Sequence, residues 1–359
     1  MTGIKFYIVM ILALATVSYS QADFEIDKYL DGTIVNDIEN DGNFIWFATE
    51  GRGIYRYTKA TGEWDNYSSA NNGLEQDYLY CLTSNKDFVW AGSVDGLFIL
   101  DKKRNRWTKR KFSKGGQLSN WIRALAYDPY ENAVWIGRFQ YLSKYDIQRR
   151  RFIDYDLTTS GDQKTNMIKT VAVDGDSLVW FGTEGGLHKY DKSKDLETPG
   201  AVVFYDSKLN YFNGDGDKVS ITGIVFEQNN VWIGLDEFRT ENNPNYNIGG
   251  LYKFNRRNEW YRFDNTLGFQ ANGVFALEKV GDYILAAVYQ FGKDTKATYG
   301  RGIAIINRST LELSQVTDNR LPNKILSMMF DGEYLWLGSD SGIYRVKLMN
   351  DLAVWNNKE

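Results

Sequence analysis

The chain has 359 residues, with 42 basic and 46 acidic side chains, a formal net charge of −4 and 15% aromatic content. One cysteine excludes an internal disulfide, and one histidine excludes a His-rich metal site or a catalytic pair of histidines. The acidic balance disfavours sequence-independent nucleic-acid binding, which needs clustered Lys and Arg.

In chain order, residues 1–22 have the build of a secretory signal peptide. Lys5 supplies a positive start, and the mostly apolar run 6–17 is too short to span a bilayer. Ser20-Gln21-Ala22 then offers a small-x-small cleavage site. No cysteine follows the run, which argues against a lipoprotein. The expected mature chain, 23–359, is exported (periplasmic or secreted) and has no later segment near the ~20 apolar residues of a spanning helix.

From there a repeat takes over. Trp46, Trp90, Trp135, Trp180, Trp232 and Trp336, with Leu285 in the sixth place, each sit in an apolar step that ends in Gly or Ala. Their spacings are 44, 45, 45, 52, 53 and 51. A period of this length with several short strands per unit means radial β repetition. The expectation is all-β: a single seven-bladed β-propeller, 23–359, of four-stranded antiparallel blades.

The third repeat shows the plan. Residues 121–127 make an inner strand, 128–132 a turn, 133–137 the second strand, 142–145 the third and 152–155 the outer one. One small or short residue recurs on each inner strand: Asp37, Cys81, Ala124, Thr170, Gly223, Ala276 and Ser327. These are the side chains that crowding at a ring axis tolerates, so Cys81 is expected to pack and not to react. Residues 24–29 resemble the outer strands yet precede the first inner strand, so they are expected to close the ring as the outer strand of the seventh blade. The tail 352–355 competes for that slot.

Strand alternation puts the loops after each second strand, and those between blades, on one face, the top. Two neighbouring top loops are long, 235–248 and 289–299, and insertions in a repeat array tend to mark the binding face. The first supplies Asp236, Glu237, Phe238, Arg239 and Tyr246; the second supplies Tyr289, Phe291, Lys293 and Tyr299. In the third blade Arg138 and Phe139 stand in a turn that carries glycines elsewhere, and Trp121 and Arg123 begin the inner strand beneath it. Aromatic rings mixed with amide and charged groups suit a sugar or a peptide.

The stretch Trp180-Phe181-Gly182-Thr183-Glu184-Gly185-Gly186-Leu187-His188-Lys189-Tyr190-Asp191 resembles the W-x-G-T-x-x-G-L-x-x-Y-D unit of the two-component-regulator propeller family. Stretches 90–101 and 336–346 resemble it with small departures. The resemblance implies a propeller of the kind that forms extracytoplasmic sensor domains and free-standing exported proteins. No kinase or DNA-binding stretch accompanies it here, so the expected role is a non-catalytic binding or interaction module. Its expected partners are a carbohydrate, peptide or protein on the top face, or a larger envelope or surface assembly, and no cofactor is implied. The alternative is a propeller-type polysaccharide lyase or another hydrolase, although no nucleophile-base spacing stands out. His188 occupies a repeat position held by Tyr55, Phe98 and Tyr344. Residues 213–217 alternate oxygen ligands like half a calcium loop but lack its closing Glu, which favours a plain turn. Basic hairpins at 102–106 and 149–151 are expected to be solvated.

Overall fold

The computed structural model describes residues 24–71, 73–316, 318–348 and 352; the signal-peptide assignment lies outside them. The apolar runs around the repeat tryptophans become the second strand of each blade, buried along nearly its whole length between two neighbours. Trp46, Trp90, Trp135, Trp180, Trp232 and Trp336 are each at most 1% exposed, and Leu285 fills the sixth place at 0%. Successive residues face opposite blades: Trp46 packs with Leu79, Leu82 and Val89 of the second blade, whereas Phe47 turns back to Trp336 of the seventh. Full burial on both faces explains why these strands lack alternation.

Seven four-stranded antiparallel sheets result. The third blade is representative, with strands Ile122–Asp128, Ala133–Arg138, Leu142–Asp146 and Arg151–Tyr155. In the seventh, Ile325–Phe330, Tyr334–Ser339 and Gly342–Lys347 are joined by Ile26–Tyr29 as the outermost strand, paired from Ile26↔Val346 to Tyr29↔Ile343. The N-terminal strand thus closes the ring. Of the competing tail only Leu352 is described, and it is buried in the core beside Phe24 and Val346.

The glycine that follows the tryptophan is a point of close approach between blades. A Cβ on Gly92 would lie 2.4 Å from Cys81 Sγ and 2.8 Å from Ile122 of the next blade. Ala48 and Ala287 take that place in the first and sixth blades. Cys81 itself is buried, which pushes its thiol pKa well up and leaves it unreactive.

At the bottom of the ring a second device recurs. An acidic residue at the end of an inner strand takes an ion pair from the next blade, and in the first, third and fourth blades it also accepts the indole N–H of its own. Asp41 accepts Trp46 Nε1 (2.8 Å) and Lys102 Nζ (2.7 Å). Asp128 takes Lys192 at 2.9 Å with both side chains at most 3% exposed. Asp174 takes Trp180 and Arg256, and Glu227 takes Arg308 at 2.7 Å. Around the axis, side chains of one inner strand satisfy the free edge of the next: Asp37 accepts Leu82 N–H at 2.7 Å, and Glu39 accepts both Ser84 N–H and its hydroxyl at 2.8 Å. Burial pushes the Asp37 carboxyl up to about 7 and that of Glu39 to about 8.

Candidate functional site

Each inner strand breaks register once, one residue before its small axial residue: between Val35 and Asp37, Leu79 and Cys81, Ile122 and Ala124, and so on round the ring. Such a bulge inserts an unpaired residue and re-aims its side chain. The inserted residues are Asn36, Tyr80, Arg123 and Lys169 in the first four blades. Thr222, Phe275 and Leu326 follow in the last three. These seven, with Trp121 and Asp236, line a cavity of about 350 Å³ at the top of the axis. A cavity of about 290 Å³ shares these bulged residues and is lined also by the small axial ones.

The mouth is charged on one side. Lys169 Nζ contacts Asp236 and lies 3.3 Å from Ser220 Oγ. Asp236 also accepts Ser220 Oγ at 2.9 Å and Tyr289 Oη at 2.8 Å. Arg123 Nη1 donates to Glu184 at 2.7 Å, and Lys164 stands 3.8 Å from that carboxylate. Burial, and then the Arg123 guanidinium, push the Lys169 ammonium down to about 7, against the Glu184 carboxylate, which raises it.

Aromatic and apolar side chains adjoin these charges, and the Arg123 guanidinium lies 5.5 Å from both the Trp121 and Phe139 ring centres. Trp121 stacks on Phe139 (centroids 5.3 Å apart, planes 3° apart) and meets Tyr80 at 5.9 Å. Phe275 stacks on Tyr289 at 4.0 Å beside Leu326. The Trp121–Phe139 stack depends on the altered turn of the third blade, in which Phe139 N–H donates to Trp121 O at 2.8 Å. Tyr141 takes a φ of +77° where the fourth blade has Gly186. A non-glycine residue held there costs roughly 1–3 kcal/mol, a strain that gathers at functional sites.

The two long insertions are largely strand. They extend Val231–Phe238 and Asn247–Phe254 in the fifth blade, and Tyr283–Phe291 and Thr298–Asn307 in the sixth, leaving short tips. The arms join into one raised lobe: Tyr289 Oη accepts Glu237 N–H (3.0 Å), Glu237 Oε2 accepts Phe291 N–H (2.9 Å), and Phe238 meets Phe291 at 4.8 Å.

Of the residues singled out in the sequence, Trp121, Arg123 and Asp236 converge at the mouth, with Phe139 behind Trp121. Glu237, Tyr289 and Phe291 are buried in the seam between the arms and hold the lobe together. Phe238, Tyr299 and Lys293 are exposed on the arms, Tyr246 packs near Phe238, and Arg239 donates to Pro244 O across the tip. Arg138 requires a correction, because it is fully buried over the Phe112 ring and 3.2 Å from Asp154, out of reach of any ligand on the top face. Lys169, Tyr80, Phe275, Thr222, Asn36 and Leu326 escaped sequence reasoning. Their signal was positional: each immediately precedes a small axial residue.

The remaining features are occupied. His188 is 1% exposed, its Nε2 2.9 Å from Thr165 O, and burial lowers its pKa to about 4. Asp215 accepts Tyr252 Oη at 2.8 Å, and among the described residues no group of three His, Cys, Asp or Glu is placed to hold a metal. Within the basic hairpins Lys102 is drawn to Asp41 and Arg149 to Asp146.

No family model matches the chain. "Histidine kinase P4" of Formosa agariphila is 28% identical over 181 residues, which are 46% of this chain and 13% of that protein. Among solved structures, the extracellular domain of a putative one component system from B. thetaiotaomicron matches with a TM-score of 0.67 at 18% identity, over 92% of this chain and 40% of that one. The extracellular domain of a putative hybrid two component system from the same organism gives 0.65 at 17% identity, over 90% and 42%. Virginiamycin B lyase from Staphylococcus aureus gives 0.65 at 13% identity, over 91% and 100%. The chain is thus similar to extracellular propellers of two-component-type proteins, as the repeat resemblance implied. It spans less than half the length of those chains, and at these identities the likeness is one of fold. No helix among the described residues is long and apolar enough to cross a membrane.

Proposed function

We propose that the chain is an exported, non-catalytic binding module of the sensor-propeller type, whose ligand enters the top mouth of the central channel. One observation carries this reading. All seven blades present a bulged residue to the same cavity, and those residues differ in chemistry while the packing residues beside them stay small. Repeats that need only to pack have no use for seven different side chains at one spot. The raised lobe of the fifth and sixth blades extends the wall for a sugar, a peptide or a protein surface. The leader-like residues 1–22 favour the periplasm or the exterior, alone or within an envelope assembly.

The test is a screen of the exported protein on glycan and peptide arrays with product analysis, repeated with Trp121→Ala. Saturable binding that drops at least tenfold in the variant supports the reading; a ligand unaffected by it places the site elsewhere. A second reading, lyase chemistry, draws on Lys169, whose depressed pKa suits a general base. Product formed by the parent protein and lost in Lys169→Gln would replace the binding module with an enzyme.

A further inference from the structure

The hydrogen-bond inventory of the mouth is lopsided. Its carboxylates already face cations: Asp236 accepts from Lys169, Ser220 and Tyr289, and Glu184 accepts from Arg123 with Lys164 3.8 Å away. Its cations are not spent. Lys169 has three donors and gives two, to Asp236 and Ser220, while Arg123 has five and engages Glu184 through Nη1. The two cations stand on adjacent blades, and the Arg123 charge raises the cost of charging Lys169. Cations with donors to spare suit a ligand that brings acceptors and negative charge.

Beside the charged arc the lining turns apolar. Phe275 and Leu326 face the charged arc from the sixth and seventh blades, and Tyr80 and Trp121 flank it from the second and third. A polyhydroxylated ligand would leave hydroxyl groups against Leu326 and Phe275 without partners, a cost of desolvation with no return. The volume of about 350 Å³ lies at the small end of the ~300–1,000 Å³ range of ligand pockets.

We infer that the mouth takes a small amphipathic carboxylate, its anionic head between Arg123 and Lys169 and its apolar body against Phe275 and Leu326. The inference rests on the mouth being the binding site and goes on to give the ligand's class. Two sources share this chemistry: a free carboxylic acid with an aromatic or aliphatic tail, and the C-terminal residue of a peptide ending in an apolar side chain. The neighbouring cations would share the head as a bidentate clamp, and the bound anion would relieve their mutual repulsion.

The experiment is calorimetric titration of the exported protein with matched pairs: 3-phenylpropionate against its amide, and the tripeptide Gly-Gly-Phe against its C-terminal amide. Galacturonate serves as a polar acid. Each acid is expected to bind at least tenfold more tightly than its amide and than galacturonate, with affinity falling as salt is added. The stronger of the two pairs identifies the source. Arg123→Gln should erase the acid–amide difference, and Leu326→Asn should erase the preference over galacturonate. The wild-type comparison needs no variant to fold. Amides equal to acids, or galacturonate at least equal to phenylpropionate, overturn the inference. If no acid binds while a ligand from the arrays is lost in Trp121→Ala, the class is wrong and the site stands. If an array ligand is indifferent to Trp121→Ala, both fall.

Discussion

The two ends of the same inner strands behave in opposite ways. At the bottom, the first, third and fourth blades repeat one arrangement of acid, indole and cation, as in Asp41–Trp46–Lys102 and Asp174–Trp180–Arg256. At the top, the bulged position carries Asn, Tyr, Arg, Lys, Thr, Phe and Leu in turn. Within a ring of equivalent units, chemistry that recurs serves the joints between units. Chemistry that differs at an equivalent position has been released from that duty. The difference separates scaffold from site without any appeal to relatives.

The comparison breaks most readily at the scaffold end. Trp180→Ala removes a wholly buried indole together with its bond to Asp174, and should destabilise the ring by about 3–5 kcal/mol in chemical denaturation. A loss under about 1 kcal/mol would mean that the second strands do not form the interblade core. Next comes the latch: Asp128→Ala leaves Lys192, only 3% exposed, as a buried charge without its partner, at about 3 kcal/mol or more. Arg123→Gln at the mouth, whose partner Glu184 keeps Lys164 nearby and is a quarter exposed, should cost under about 1 kcal/mol. If the top substitution proved as damaging as the bottom one, the division of labour would be lost.

The axial carboxylates sharpen the comparison through pH. The Glu39 carboxyl, pushed up to about 8 in the folded protein, titrates near 4.5 when unfolded. The folded state therefore binds more protons between those values. The stability this group contributes is complete below about pH 4.5 and is lost as pH rises through about 8. Glu39→Gln keeps an oxygen for Ser84 N–H and its hydroxyl but removes the titration. Relative to the parent, its melting temperature should climb steadily from pH 5 to 8.5. Taking the difference cancels His188, whose lowered pKa works the other way below pH 6.5, and Lys169. A gap between the two proteins that stays constant with pH would refute a buried, protonated Glu39.

Much of the scaffold was legible because its physics is local and repeated. Trp-x-Gly marks where one blade admits the next, small axial residues mark crowding, and an outer-strand pattern ahead of the first inner strand marks closure. The candidate site was half legible. Trp121, Arg123 and Asp236 stood out as unusual side chains near a strand end. Lys169 and Phe275 did not, since alternation assigns faces by a period of two and a bulge adds one residue to the count. Arg138 misled for a different reason. A guanidinium in a turn is expected in water, yet here its planar group lies on Phe112 with Asp154 beside it. Glu237 and Tyr289, offered as ligand groups, turned inward because the insertions continue the sheet and a seam between two arms must satisfy its own N–H groups.

That last correction yields the smallest expected effect and the finest distinction. If the lobe is held by its seam and not by its tips, residues 240–245 can be replaced by a Gly-Gly link with almost no loss. The segment packs outside the seam, and among these residues only Asn245 O receives a backbone bond from the neighbouring interblade segment, that of Asp217 N–H at 2.8 Å. The melting temperature should move by no more than about 1 °C, a change of under about 1 kcal/mol in a chain of this size. Binding at the mouth should persist, because Asp236 keeps Lys169, Ser220 and Tyr289 whatever happens at the tip. Loss of an array ligand in a variant that still melts like the parent would move the recognition surface outward from the channel mouth to the Phe238–Tyr246 end of the lobe. A shortened protein that melts far lower would show instead that the tip helps to register the two arms.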